Sequence, residues 1–403
     1  MNFNPAQSIQ DLQFFGEFGG VNPSIEDSST YTFLKADSME ETFEGIEGCY
    51  LYSRHWNPTN RYLSQALAKM ENTESAVVTA SGMAAITCTI LQLCGRGDEI
   101  ICGRMVYGGT YAFLKNVAPR FGIKTTFVDI TKIEKIAEAI SPATRLIYCE
   151  SMSNPLLEVA DIKAISALSK KFSIQLVVDN TFTPMIISPA NLGADVVIHS
   201  LTKFINGTSD TVAGAICGSE EFIHKLSDVN HGMVMLLGPV MDSIRSASVL
   251  KNLHSLHVRM KQHSSNALYL AEQLSKDGIV VHYPGLITHP QHVLINKQMN
   301  NGFGYGGMLV IDVSTKENAY ALMEKMQQAN LGYLAVSLGF YKTLFSSPGS
   351  STSSEIPKDE RIAMGLSEGL VRMSVGLDAR MEESFEKMRR YLKNITTSLP
   401  VGQ

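Results

Sequence analysis

Seven short apolar runs between residues 75 and 218 constrain this chain more than any other feature. They read SAVVTA (75–80), DEIICG (98–103), KTTFVD (124–129), RLIYCES (145–151), IQLVVDN (174–180), ADVVIHS (194–200) and TVAGAICG (211–218). Continuous Val/Ile/Leu runs of this length point to strands covered on both faces. Helix-length segments separate most of them, and strands alternating with helices fold as a mostly parallel, doubly wound sheet. In such a sheet ligands bind beyond the carboxyl ends of the strands. Polar residues at those ends are therefore the first to inspect.

The chain has 403 residues, too many for one ordinary core. From about residue 250 the texture changes. ALYLAEQLSKDG (267–278) predicts an amphipathic helix stopped at Gly278, and ENAYALMEKMQQAN (317–330) predicts another. GGMLVIDVS (306–314) and GLVRMSVGL (369–377) predict strands, and the last thirty residues contain a further helix. The expected organisation is an extended N-terminal arm over 1–55, a large α/β domain over 56–250 and a smaller α+β domain over 251–403. The Ser-rich stretch 346–357 predicts a loop.

Bulk properties exclude several function classes. A net charge of −5 makes no electrostatic case for nucleic acid or an anionic membrane. The longest uncharged window, Glu74 to Arg96, carries Thr79, Ser81, Thr87, Thr89 and Gln92, too polar for a membrane span. The start lacks a basic region followed by a long apolar one, so no secretory leader is expected. Six cysteines (49, 88, 94, 102, 149, 217) form no CxxC pair and predict reduced core residues of a cytoplasmic protein. GFGYGG (302–307) matches a dinucleotide fingerprint, but a polar stretch precedes it and a strand follows, so we reject it. His282, His289 and His292 lack a Cys or carboxylate to complete a ligand set, so no metal is expected.

Three strand ends carry the informative groups. VVTASGMAAI (77–86) runs from a strand into Ser81-Gly82-Met83 and then a helix, whose free N–H groups can receive a phosphate. Taken alone, Ser81 is an ordinary helix cap. Asp179 closes an apolar run, where a buried carboxylate needs a cationic or hydrogen-bonded partner. Taken alone, it opens a turn. In VVIHSLTKF, Lys203 follows a strand beside Ser200 and Thr202. Together, an imine-forming lysine, an aspartate for a pyridinium nitrogen and a phosphate cup meet the needs of pyridoxal 5'-phosphate.

The motif HSLTKFINGTSDTVAGAICG resembles the lysine motif of the cysteine/methionine-metabolism family of pyridoxal phosphate enzymes. YSRHWNPT (52–59), SGMAAI (81–86), YGGTYA (107–112), SNP (153–155), VVDNTFTP (177–184), VSLG (336–339) and EGLVRMSVGLD (368–378) have counterparts in the same order. FGEFGGVNPSIE, MLLGPVM, YPGLITHPQH and PGSSTSSE are most similar to the plant-type branch of its methionine γ-lyases. The resemblance implies the fold type I architecture of these transferases and lyases.

It also implies roles. Lys203 would hold the cofactor covalently and shuttle protons once freed. Asp179 would pair with the ring nitrogen, Asn154 with the ring oxygen. Ser81, Gly82, Met83, Ser200 and Thr202 would bind the phosphate. Tyr107 would stack on the ring and protonate the departing sulfur. Tyr52 and Arg54 would reach the phosphate of a neighbouring subunit, giving a homotetramer built from two dimers with shared sites. Arg372, inside an apolar strand, would bind the substrate carboxylate with Ser337 nearby; without the resemblance, a core ion pair explains it as well.

Two positions depart from the family. Gly109 stands where some bacterial relatives have cysteine. Lys342 stands where a glutamate is usual, and a lysine near the distal end of the substrate would repel a second ammonium group, which argues against cystathionine. The expected activity is elimination of methanethiol from L-methionine. The alternatives are γ-replacement (cystathionine γ-synthase or O-acylhomoserine sulfhydrylase), cystathionine γ-lyase chemistry, or a catalytically silent pyridoxal phosphate-binding protein.

Overall fold

The structure, a computed structural model, describes residues 3–14, 19–43, 50–350, 359 and 365–396. Each of the seven apolar runs contains one strand, save that β4 starts one residue before its run: β1 (Ser75–Thr79), β2 (Glu99–Gly103), β3 (Lys124–Val128), β4 (Thr144–Glu150), β5 (Gln175–Asp179), β6 (Val196–Ser200) and β7 (Gly214–Gly218). They form one sheet in the order β1-β7-β6-β5-β4-β2-β3. β7 runs antiparallel to both neighbours, and the other neighbouring pairs are parallel. The reversal arises because β6 reaches β7 through a turn-rich connection without a crossover helix. Lys203 lies in that connection.

Alternation along the strands explains why the runs are uniformly apolar. Ile147, Leu176, Val178, Val197 and Ala215 enter the core on one face. Leu146, Tyr148, Val177, Val196, Ile198 and Ile216 enter a second core on the other. Both faces of the central strands are thus covered, and apolar residues dominate at both parities, while β3 at the edge, KTTFV, is only partly buried. Cys88, Cys94, Cys102, Cys149 and Cys217 are free and buried in these layers, as read from their apolar settings; Cys49 lies outside the described residues.

A second sheet has the order β10-β11-β12-β9-β8, from β8 (Val280–His282), β9 (Met308–Asp312), β10 (Tyr333–Leu334), β11 (Leu344–Ser346) and β12 (Leu370–Ser374). Helices Leu256–Lys276, Lys316–Gln328 and Met381–Thr396 accompany it, and its core gathers Leu309, Ile311, Phe345, Val371 and Met373. The predicted Ser-rich loop begins on β11 and its residues 351–357 lie outside the described residues.

The expectation of a purely extended N-terminal arm needs correction, because helices Pro5–Gln10 and Ala36–Phe43 occur there. The first has a visible start signal: Asn4 Oδ1 accepts from the Ala6 and Gln7 N–H groups, and Pro5 supplies a preset φ at the first turn. Among the described residues no helix is long and apolar enough to cross a membrane.

Beneath the strand ends lies a buried polar knot. His199 Nε2 and Glu71 Oε1 are 2.7 Å apart, and Asn180 Nδ2 donates to the same oxygen at 3.0 Å. Both His199 and Glu71 are fully enclosed, with His199 on β6 and Glu71 at the end of helix Pro58–Glu71. Replacing His199 by Leu strips Glu71 of that partner, a loss of about 1–3 kcal/mol for a buried group left unpaired. We expect a lower thermal midpoint for His199→Leu, most of it recovered in His199→Gln, measured by calorimetry.

Candidate active site

The strand polarities put the carboxyl ends of β1, β6, β5 and β4 on one edge of the first sheet. Asp179 closes β5, and Glu150 closes β4 directly opposite it in register. β6 ends at Ser200, three residues before Lys203, and β1 leads through Ser81 into helix Gly82–Leu93. From the second sheet, Arg372 on β12 and the 336–338 segment reach the same place. These groups surround a cavity of about 260 Å³, lined also by Tyr107, Asn154, Phe182 and Val212.

Lys203 is largely buried, and its Nζ donates to Ser337 Oγ at 3.2 Å. Burial, reinforced by the Arg372 charge, lowers its pKa to about 8. A sizeable fraction of the amine is therefore neutral near pH 8, the form that attacks a carbonyl. Arg372 is 3 % exposed and donates from Nη1 to Asn154 Oδ1 at 3.1 Å. Burial lowers its pKa to about 10, against the pull of Tyr107 and Glu150, so it remains a cation.

Asp179 is 7 % exposed. Burial raises its pKa, opposed by hydrogen bonding from Thr181, by the His199 charge and by the Tyr148 hydroxyl, which donates at 3.3 Å. A carboxylate so placed is stabilised by a cationic N–H donor presented from the cavity.

The helix start makes a close-packed cup. A Cβ on Gly82 would lie 2.7 Å from the Ser200 Cβ, so only glycine lets the helix start approach the end of β6. Ser81 Oγ accepts from the Ala84 N–H at 3.0 Å, the ordinary capping role, and keeps its own hydrogen to donate. Thr202 is more committed than expected: its Oγ1 accepts from the Ala213 N–H at 2.9 Å and donates to the Ala213 carbonyl at 3.2 Å. Ser200 and Met83 also line the cavity.

Tyr107 is 44 % exposed and lines the cavity. Its ring lies over Gly109, where a Cβ would come within 2.6 Å of Cε1 and 3.0 Å of Met83 Sδ. Any side chain at 109 would thus require the ring to shift. The Tyr107 N–H donates to Glu150 Oε1 at 2.6 Å. Glu150 was missed from the sequence, although RLIYCES ends an apolar run on a carboxylate as IQLVVDN does.

Three expected residues stand apart. Tyr52 and Arg54 do not line this cavity; the Arg54 guanidinium sits 5.5 Å from the Tyr52 ring centroid, and both are exposed. Tyr52 is bridged instead to Thr30. Lys342 is also absent from the lining: its Nζ bonds Asn330 Oδ1 and lies 4.6 Å from the Tyr333 ring centroid. Held there, the Lys342 ammonium already has partners outside the cavity lining. No cluster of three metal-ligating side chains occurs among the described residues.

The donor set fits a phosphorylated pyridine aldehyde: a buried amine with a lowered pKa, a buried carboxylate lacking a cation in contact, and a glycine-dependent cup of N–H and hydroxyl donors. The profile of the Cys/Met metabolism PLP-dependent enzymes matches residues 7–385. A methionine gamma-lyase of Arabidopsis thaliana is 45% identical over 395 residues, covering 96% of this chain and 90% of that one. A cystathionine gamma synthase of Xanthomonas oryzae pv. oryzae superposes with a TM-score of 0.88 at 30% identity, covering 99% of this chain and 100% of its own. A Campylobacter jejuni chain assigned as an O-acetylhomoserine (thiol)-lyase gives 0.88 at 27% identity, covering 97% and 100%; its structure carries a pyridoxyl-lysine monophosphate. The fold, the lysine-centred cavity and these likenesses agree, and the chain belongs to the Cys/Met metabolism family of pyridoxal phosphate-dependent enzymes.

Proposed function

We propose that this enzyme is a methionine γ-lyase, converting L-methionine and water to methanethiol, 2-oxobutanoate and ammonia. The observation that carries this reading is the makeup of the cavity. Its walls include Ile86, Met152, Val212, Val336 and Leu338, and among the described residues its only carboxylates are Asp179 and Glu150, both buried in the strand ends. An apolar wall suits a methyl thioether. A substrate with a second amino acid end would find no further carboxylate among the described residues there to receive its ammonium group.

The bound cofactor supplies an electron-withdrawing ring that acidifies the substrate's α and β protons. In this reading Lys203 holds the cofactor, and its freed Nζ takes the α proton and carries protons between carbon positions. Arg372 binds the substrate carboxylate beside Ser337. Asp179 faces the ring nitrogen and Asn154 the ring oxygen. Ser81, Gly82, Met83, Ser200 and Thr202 hold the phosphate. Tyr107 gives its proton to the leaving sulfur, since a thiolate departs poorly without one. Tyr52 and Arg54, set apart from this cavity, serve the site of a partner subunit in a cytoplasmic homotetramer, with the 1–55 arm extending toward that partner.

The deciding experiment gives purified, cofactor-loaded protein L-methionine alone and assays both products. Equal release of 2-oxobutanoate and methanethiol is expected. Turnover only with an O-acylhomoserine and an added thiol would place the protein among the γ-replacement enzymes instead.

Two further outcomes follow from the geometry. Cofactor-depleted protein should take up pyridoxal phosphate at a rate that rises with pH through a midpoint near 8, following neutral Lys203, rather than near an ordinary lysine value. Absorbance stopped-flow checks this, with Lys203→Arg as the variant that forms no imine band. Gly82→Ala should weaken cofactor affinity about tenfold or more, because the new methyl pushes the helix start off Ser200 at a cost of about 1–3 kcal/mol. Equilibrium dialysis against pyridoxal phosphate measures it.

A further inference from the structure

Two carboxylates end adjacent strands here, and only one has a role in the reading above. Asp179 and Glu150 are register partners on β5 and β4, both buried. Placing two acids side by side away from water is costly unless each is separately satisfied.

Glu150 is satisfied by backbone groups rather than by a cation in contact. Oε1 accepts the Tyr107 N–H at 2.6 Å, and Oε2 accepts the Asn154 N–H at 3.1 Å. The Asn154 side chain in turn accepts from Arg372 Nη1 at 3.1 Å. One carboxylate therefore ties together the segment before helix Gly108–Ala112, the turn after β4 and, through Asn154, a strand of the second sheet. Those three segments carry Tyr107, Asn154 and Arg372. Because Glu150 holds main-chain atoms, the Tyr107 phenol and the rest of the guanidinium stay available to the cavity.

We propose that Glu150 is a positioning residue, whose two oxygens fix the backbones of Tyr107 and Asn154 and so set the Tyr107 phenol where a leaving group can take its proton. The role of the phenol rests on the function proposed above; the fixing of the backbone does not. The electrostatics are consistent: burial and Asp179 push the Glu150 pKa well above the usual range, while the N–H groups of Tyr107 and Asn154 and the Arg372 charge oppose the rise. Arg372 also feels the Glu150 charge through space. Lys203 has no hydrogen bond to Glu150, so proton abstraction at Cα and sulfur departure should respond differently to its loss.

The test compares cofactor-loaded wild type, Glu150→Gln and Glu150→Ala. Gln keeps one carbonyl acceptor and loses the other; Ala loses both. Three quantities are read: kcat and KM for methionine elimination, exchange of the α proton of L-norleucine in deuterated buffer, and a crystal structure of each variant. Norleucine replaces sulfur by carbon and has no leaving group. Misplacing a reacting group by about 1 Å costs on the order of 100-fold. We expect kcat to fall about 10- to 100-fold in Glu150→Gln and further in Glu150→Ala, a clearly larger loss than that of the exchange rate, with KM rising as Asn154 loosens its hold on Arg372. The crystal structures should show Tyr107 displaced. Elimination and exchange falling in parallel, or Tyr107 staying in place with kcat unchanged, would overturn the proposal. If wild type exchanges norleucine but releases nothing from methionine, the lyase reading fails. The position of Tyr107 in the two crystal structures then still decides for or against Glu150.

Discussion

The site is organised around uncompensated charge at the dry edge of a sheet. Asp179 and Glu150 close neighbouring parallel strands, and Lys203 and Arg372 face them across a small cavity. None is comfortable there. Burial is the largest cause of all four pKa shifts, raising those of the acids and lowering those of the bases. Removing an ion from water costs several kcal/mol even after relaxation, so each group needs compensating partners. Some partners are built in: Thr181 and Tyr148 for Asp179, the Tyr107 and Asn154 N–H groups for Glu150, Ser337 for Lys203, Asn154 for Arg372. The remainder suits a cofactor and an amino acid that bring a pyridinium, a phosphate, an aldehyde and a carboxylate.

The fold makes this arrangement possible through polarity. β7 is antiparallel to both β1 and β6, so β1 and β6 point the same way although the chain travels far between them. The helix start after β1 and the lysine after β6 therefore meet at one edge. Gly82 lets them meet closely, because a side chain there would overlap Ser200. The Glu71–His199–Asn180 knot lies just beneath, with His199 and Asn180 adjacent in sequence to Ser200, Asp179 and Thr181 of the cavity lining. Stability and function thus share the same few strand ends, and substitutions there are read first for folding and then for chemistry.

Much of this was legible in the sequence. The strands could be read because both sheet faces of the central strands are buried, which favours apolar residues at both parities and leaves nearly unbroken apolar runs. Asp179, Lys203 and the Ser81-Gly82-Met83 turn could be read because polar groups stand out at the ends of such runs. Glu150 carries the same signal, a carboxylate closing the apolar run RLIYCES. Lys342 is a different case. Its motif placed it near the substrate, but the cation is drawn to Asn330 and the Tyr333 ring, an attraction that only the folded chain reveals. The helices at Pro5–Gln10 and Ala36–Phe43 span only six and eight residues, too few for an apolar period to stand out, although Asn4-Pro5 marks the start of the first.

By itself the sequence determined the layered sheet, the order of the chemical groups along it and the family whose motifs they spell. These are local properties: hydrophobic alternation, turn residues, and short motifs whose members are neighbours in the chain. Tertiary structure alone decided which groups share one cavity and in what ionisation state. Arg372 meets Asn154 across 218 positions, and Lys203 meets Ser337 across 134. A pKa is set by distances and burial, and both come into being only when segments remote in sequence close around the same small volume.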